Sequence, residues 1–415
     1  MYAARRAAAT AALPLVLVLA ACSAGAGSSS PPSLSVSARA EPTPTESEMP
    51  SPSQPAPSES SESAAPSVSP APVGAGGLAW AEAAIFSRSG ATAVTDVAAW
   101  DGGFLAIGHV WTEGYIHGPG EPLMWISEDG RSWSEVDPGL GTTVVELRGI
   151  LPLTTGGVLI VGNVGRPGEV TLAAWRSGDG QTWNALELPS EIAAQAVSVA
   201  SGPVGHVITT NSEIWYSVDA ESWQLVHEAD DGVQLRQPTA GDEGFVTPAV
   251  NVEEDRALVL ASGDGIAWFE AEPPAHLSSV APVGGDWLAW AYTEDPATIS
   301  VLRSANGLDW SVVVDVNDLT APDGPKAGLG MESEITEATL SGEDGVVVMT
   351  LGWNHCCAQL PVAVGVWTST DGAIWQAAEL PADAYVSAVA TDGEVVVAAG
   401  NFDRGAEAAF WVADR

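Results

Sequence analysis

The sequence predicts an all-β fold, a seven-bladed β-propeller with four-stranded antiparallel blades, and three observations predict it. The first is a short pattern, Ser-x-Asp-Gly-x-x-Trp with close variants, that occurs six times. It stands at Ser127, Asp129 and Trp133; Ser177, Asp179 and Trp183; Ser217, Asp219 and Trp223; Ser262, Asp264 and Trp268; Ser304, Asn306 and Trp310; and Ser369, Asp371 and Trp375. Its closing tryptophans fall 40 to 65 residues apart, the period of propeller blades or solenoid repeats. The second is a recurring pair of short apolar strands around a Gly turn before each box, as in residues 94–108 and 386–400. The third is complementarity of the ends. Residues 385–412 supply a seventh set of three strands with no fourth, and Trp80-Ala-Glu-Ala begins a lone fourth-type strand at the other end.

The elements follow in order. Arg5 and Arg6 precede an apolar stretch over residues 11–20 that is too short to span a bilayer, and Leu19-Ala20-Ala21-Cys22 follows. These residues resemble the lipobox of bacterial lipoprotein signal peptides. The resemblance implies that residues 1–21 are a signal peptide cleaved before Cys22, that Cys22 carries the lipid, and that the protein is anchored to the cell membrane on its extracytoplasmic face. Residues 22–77 are Ser, Pro, Ala and Glu with almost nothing to bury, so they read as a disordered spacer. The propeller is expected over residues 78–415, about 48 residues per blade from Trp80 onward.

Charge bounds the partners. With 14 Lys+Arg against 53 Asp+Glu, the net charge is −39, and Lys326 is the sole lysine. Nucleic acid is excluded, because phosphate binding needs clustered Lys and Arg. An anionic membrane surface offers such a chain no attraction either.

Each repeat reads as strand A, a Gly turn, strand B, strand C, the boxed turn and strand D. The box chemistry is that of a tight turn: Asp accepts from turn N–H groups, Gly supplies positive φ, and Trp fills the gap between neighbouring sheets. The N-terminal strand is expected to complete the last blade and close the ring, which removes exposed sheet edges.

The boxes resemble the Asp-box, or bacterial neuraminidase (BNR) repeat, of sialidase-like propellers, although each copy here is one residue shorter and Asn306 and Ala220 depart from the pattern. The resemblance implies the fold and leaves activity open, since such repeats occur in sialidases, other glycosidases and non-catalytic propellers. A sialidase would need three arginines on a carboxylate, a Tyr nucleophile paired with Glu, and an Asp acid. Arg148 and Arg236 near strand A are the plausible pair, Arg404 or Arg166 the third, and Tyr292 or Tyr115 the nucleophile. The Arg-Ile-Pro signature of that family is absent.

A ligand is expected on the rim shared by the B-to-C and D-to-A loops, opposite the boxed turns. The candidates there are His109, Trp111, Tyr115, His117, Arg148, Arg236, Tyr292, Trp353, His355, Asn401 and Arg404. Aromatic and hydrogen-bonding groups on such loops suit a glycan or an envelope protein as partner. Cys356 and Cys357 are adjacent in an exported chain, and a strained vicinal disulfide is the reading, since neighbouring Cα atoms lie ~3.8 Å apart against the usual ~4.4–6.8 Å. His109, His117, His355 and Cys356 match no metal-ligand spacing. The acidic loop with Asp315, Asn317, Asp318 and Asp323 offers oxygens to calcium but lacks the full calcium-loop pattern. No metal and no cofactor are expected. The sequence thus reads as a monomeric, lipid-anchored propeller with a non-catalytic binding rim. A glycoside hydrolase is the alternative, and an assembly factor for an envelope complex, similar to the Asp-box propellers of photosystem biogenesis, is the second.

Overall fold

The computed structural model describes residues 78–415, apart from 112–119, 141–143, 167–168, 191, 193–197, 295–296, 316–334, 344, 354–361, 382–383 and 403–406. Cys22, the signal and spacer segments, Tyr115, His117, His355, Cys356, Cys357, Arg404 and most of the acidic loop after Asp315 lie outside the described residues.

The strands repeat with the period that the boxes set. β1 (Trp80–Ser87) comes first. Blade 1 is β2 (Ala91–Trp100), β3 (Gly103–Trp111), β4 (Glu121–Ser127) and β5 (Ser134–Val136). Blade 2 is β6 (Val144–Pro152), β7 (Val158–Arg166), β8 (Glu169–Ser177) and β9 (Asn184–Leu186). Blade 3 is β10 (Ser198–Gly202), β11 (Gly205–Thr209), β12 (Glu213–Ser217) and β13 (Gln224–Glu228). Blade 4 has β14 (Val233–Leu235), β15 (Thr239–Gly241), β16 (Gly244–Asn251), β17 (Arg256–Ser262) and β18 (Phe269–Ala271). Blade 5 is β19 (His276–Val283), β20 (Asp286–Glu294), β21 (Ala297–Ser304) and β22 (Ser311–Asp315). Blade 6 is β23 (Ile335–Glu343), β24 (Val346–Trp353), β25 (Val362–Ser369) and β26 (Gln376–Ala377). Blade 7 is β27 (Tyr385–Thr391), β28 (Val395–Phe402) and β29 (Glu407–Asp414), with β1 hydrogen-bonded along the outer edge of β29. Among the described residues there is no helix.

The innermost strands β2, β6, β10, β15, β19, β23 and β27 pack one on the next until β27 meets β2 again, so the blades form a ring. The inner strand of blade 4 is split into β14 and β15 at Pro238, which has no N–H to give to a ladder. Both faces of each sheet are covered by a neighbouring sheet, which explains why the B strands read as unbroken apolar runs; β3 is buried from Phe104 to Val110.

Seven apolar clusters fill the seams between blades, and the box tryptophans lodge in six of them. Trp133 sits between blades 7 and 1, stacked on Phe410 with ring centroids 4.1 Å apart. Trp183, Trp223, Trp268, Trp310 and Trp375 fill the next five seams in order. Trp411 and Trp80 fill the last, between blades 6 and 7. In each boxed turn one acceptor oxygen closes the loop. Asp129 Oδ1 accepts from the N–H groups of Arg131 and Ser132, both at 2.8 Å, and Trp133 Nε1 donates to the Gly130 carbonyl at 2.9 Å. In each turn the two backbone N–H groups just before the Trp hold the carboxyl, Asp129, Asp179, Asp219, Asp264 or Asp371, below the ordinary range. Gly130 has φ +69°, and Ala220 takes the same left-handed conformation at φ 59°, a strained choice for a residue with a Cβ.

Inside the ring, side chains of the inner strands stitch blade to blade. Ser201 Oγ donates to the Pro152 carbonyl at 2.8 Å, Thr239 Oγ1 to the Val280 carbonyl at 2.9 Å, and Ser387 Oγ to the Val94 carbonyl at 2.8 Å. Ser279 Oγ and Ser341 Oγ accept from the Leu340 and Val389 N–H groups at 3.1 and 3.0 Å. Between blades 1 and 2 the stitch is a carboxylate: Asp96 Oδ2 accepts from Ile150 N–H at 2.9 Å. One such bond contributes about 1 kcal/mol. Ser387→Ala is therefore expected to lower unfolding free energy in urea by that amount, and an unchanged midpoint would remove the stitches from the account.

Candidate functional site

Strand direction alternates through each blade, so the A-to-B hairpins and boxed turns crowd one rim, while the B-to-C and D-to-A connections crowd the other. On the second rim the strand-B register gathers several of the expected residues. His109, Asn163, Tyr292 and Asn401 each lie five positions beyond the residue paired with the box serine or, in blade 7, with Ala413: Phe104, Val158, Trp287 and Val396. The ladder thus brings them to equivalent places on four blades. Asn163 was not among the residues that the sequence singled out. Its signal was the dipeptide at the end of strand B, Gly162-Asn163, which repeats Gly108-His109 and Gly400-Asn401.

The seam between blades 1 and 2 holds a polar group that joins three of the expected residues. His109 is 7% exposed, its Nδ1 lies 3.3 Å from Thr95 Oγ1, and Trp111 meets it edge-on with centroids 4.0 Å apart. Arg148 stands on β6 of the next blade and is bonded to Glu146 at 2.8 Å. Arg148 sits at a β-bulge between Leu147 and Gly149. Burial, with the Arg148 charge added, pushes the His109 imidazole down to about 4, so it is neutral at ordinary pH. Burial raises the Glu146 carboxyl, and Arg148 opposes that rise. Arg148 Nε is buried here with no hydrogen bond among the described residues, and Asn163 Oδ1, on the face of β7 toward blade 3, is another such atom.

The other expected residues play different parts. Asn401 Oδ1 accepts from Val94 N–H at 3.2 Å, so this side chain is a seam clasp between blades 7 and 1. Arg236 is exposed in the break between β14 and β15, two blades beyond Arg148. Arg166 and Trp353 end strands β7 and β24 on this rim. The described residues bring no three arginines together here. Arg131, Arg176 and Arg303 belong to the other rim, where they bridge blades: Arg131 to Asp414, Arg176 to Glu221 at 2.7 Å, and Arg303, held within its own blade by Asp286 at 2.6 Å, to the Asp371 carbonyl at 3.0 Å. Among the described residues no three His, Cys, Asp or Glu groups approach closely enough to hold a metal.

Two cavities follow the ring axis. A channel of about 280 Å³ is lined by Asp96 and the stitching hydroxyls of Ser201, Ser279, Ser341 and Ser387. It widens at the boxed rim into a bowl of about 670 Å³ walled by Pro152, Pro203, Pro282, Trp287 and Glu343. The bowl is the larger space, yet it lies opposite the rim where the aromatic and basic candidates gather. Its wall carries Asp242, Glu243, Asp286, Glu343 and Arg415 among turns and prolines, with one aromatic ring, Trp287, and no histidine, so the chemistry rather than the volume marks the second rim as the candidate site.

Fold and rims together define a seven-bladed propeller with a polar cluster at one blade seam. No protein-family model matches the chain, and no curated protein matches it. Among solved structures it is similar to virginiamycin B lyase from Staphylococcus aureus in a catalytically inactive form with quinupristin, at 11% identity and a TM-score of 0.50, covering 81% of this chain and 99% of that one. It is also similar to an α-L-arabinanase of Penicillium chrysogenum complexed with arabinobiose, at 11% identity and a TM-score of 0.45, over 81% and 98% of the two chains. The likeness to the lyase shows the fold alone.

Proposed function

We propose that the protein is a lipoprotein, anchored through Cys22 on the outer face of a bacterial membrane, whose propeller belongs with the Asp-box proteins and binds a glycan or an envelope protein without transforming it. One observation carries the binding reading: Arg148 keeps a buried Nε donor that no described residue pairs, beside a neutral His109 and the Trp111 ring. A desolvated donor without a partner costs free energy in the empty protein, and a ligand oxygen placed against it recovers that cost. The same cluster favours binding over turnover. Glycoside hydrolysis needs two carboxyls ~5–9.5 Å apart with room for substrate between them, whereas Glu146 is committed to Arg148. A histidine held near 4 is also a weak base at neutral pH.

Saturable binding on a glycan array tests the reading, and silence there moves the search to crosslinked partners at the cell surface. Arg148→Ala is expected to weaken the partner at least about tenfold, the scale of a charged hydrogen bond. Between about pH 5 and 8 the affinity should show no step from His109, because its titration lies below that window. Unchanged affinity in Arg148→Ala would move the contact away from this seam.

A further inference from the structure

Blades 4 and 5 carry a second arrangement on the same rim, separate from the Arg148 seam. A groove of about 620 Å³ runs between the turn at 252–255 and the segment 272–275, within the ~300–1,000 Å³ of small-ligand clefts. Its lining includes Tyr292 and His276, stacked with centroids 5.3 Å apart and planes within 21°, and Pro273 and Pro274. The polar walls are Glu254, Asp255, Arg256 and Glu272.

Three of the four polar walls are tied to one another. Arg256 Nε donates to Glu254 Oε2 at 3.0 Å and its Nη1 to Glu272, which leaves Nη2 unpaired among the described residues. His276 Nε2 lies 3.8 Å from Asp255 Oδ1. The turn is fixed as well: Asn251 Oδ1, itself buried, accepts from the N–H groups of Glu253 and Glu254 at 3.1 Å each, and Asp255 is held at φ 51°. The groove is therefore preorganised, which lowers the ordering cost of binding.

We infer that this groove is a binding site for a neutral oligosaccharide. The inference rests on the reading of this rim as a binding surface, and deepens it. Three carboxylates against one guanidinium repel an anionic sugar or phosphate. The same charge attracts a cationic side chain, but Arg256 already occupies the position between Glu254 and Glu272 that would pair it. Sugar hydroxyls need neither charge. They can use the remaining carboxylate lone pairs and the spare Nη2 donor, while the aromatic and proline walls suit the apolar faces of pyranose rings.

The test titrates the full chain with neutral hexasaccharides of glucose, mannose and galactose, with an acidic uronic-acid hexamer and hexalysine as comparators. One neutral series should saturate, and the acidic hexamer should not. Asp255→Ala and Glu272→Gln should each weaken that series at least tenfold. Both side chains are well exposed, 72% and 61%, so the fold should survive. Ile374→Ser on the opposite rim should change nothing. Failure of every neutral series to saturate overturns the assignment, as does hexalysine binding that Glu272→Gln abolishes, which would make this a basic-peptide groove. Sugar binding that Arg148→Ala removes but Asp255→Ala leaves intact would keep the rim reading and overturn the groove.

Discussion

A chain lacking residues 78–87 is expected to lose cooperative unfolding altogether. β1 is hydrogen-bonded to β29 from Trp80 opposite Ala413 to Ser87 opposite Glu407. Its side chains serve two seams at once. Ala83, Ala84 and Phe86 pack between blades 7 and 1, where Phe86 meets Phe410 edge-on at 6.0 Å. Leu78, Trp80 and Ile85 pack between blades 6 and 7. Burying a large apolar side chain contributes ~1.5–3 kcal/mol. Leu78, Trp80, Ile85 and Phe86 are half-buried, so losing them removes at most on the order of 6–12 kcal/mol by that scale, comparable with the whole stability of an ordinary domain. It also bares the edge of β29 for pairing with other chains. A broad, dye-binding transition is the expected scan, compared with a chain that begins at Leu78. A sharp transition within a few degrees of that comparison would show that β1 is dispensable.

The second large effect is a gain. Asp96→Asn is expected to stabilise the protein at neutral pH and to lose that advantage in acid. The Asp96 carboxyl faces the channel, half-buried among the inner strands. Burial pushes it up to about 6 from 3.8, even though the Ile150 and Val97 N–H groups pull it down. The folded pKa lies above the unfolded one, so between about pH 4 and 6 the folded state holds the extra proton. Wild-type stability therefore falls through that window as pH rises. A shift of this size corresponds to roughly 3 kcal/mol, an upper bound because water in the channel screens the charge. Asparagine cannot ionise, keeps one acceptor oxygen and forfeits one N–H bond worth about 1 kcal/mol. The variant should be level with or slightly below wild type near pH 4, and above it near pH 7.5. Urea unfolding at both values checks this, since the difference between two chains cancels the titration of the other acids. A difference independent of pH would refute the burial argument.

The ring was legible because its determinants are local and repeated. Each box combines an acceptor, a positive-φ residue and a seam-filling Trp within seven residues, and six copies reveal the period. The rim was legible in part. His109, Arg148 and Trp111 drew attention as chemically able residues, and the register of β3 and β6 does bring them to one seam. Glu146 and Asn163 were missed because one acid among many and one Asn after Gly look ordinary until strand pairing aligns the blades. Asp96 was hidden for the same reason. In the sequence it is an acid beside Thr95, while in the ring it replaces the hydroxyl stitch used at other seams. The groove between blades 4 and 5 joins residues from separate loops, and only the packing of β17 against β19 brings them together.

The pairing of β1 with β29 also sets an order in time. Ser87 and Glu407, which bond across that edge, are 320 residues apart in the chain. At ~5–20 residues per second, the first strand is made tens of seconds before its partner exists. Six blades can form their hairpins as they emerge, from contacts that are near in sequence. The seventh cannot, and until it does β1 waits as an unpaired apolar strand. The last step of maturation is thus a search between the two ends of a nearly finished molecule, and that waiting strand is where a folding helper would act or where misassembly would begin.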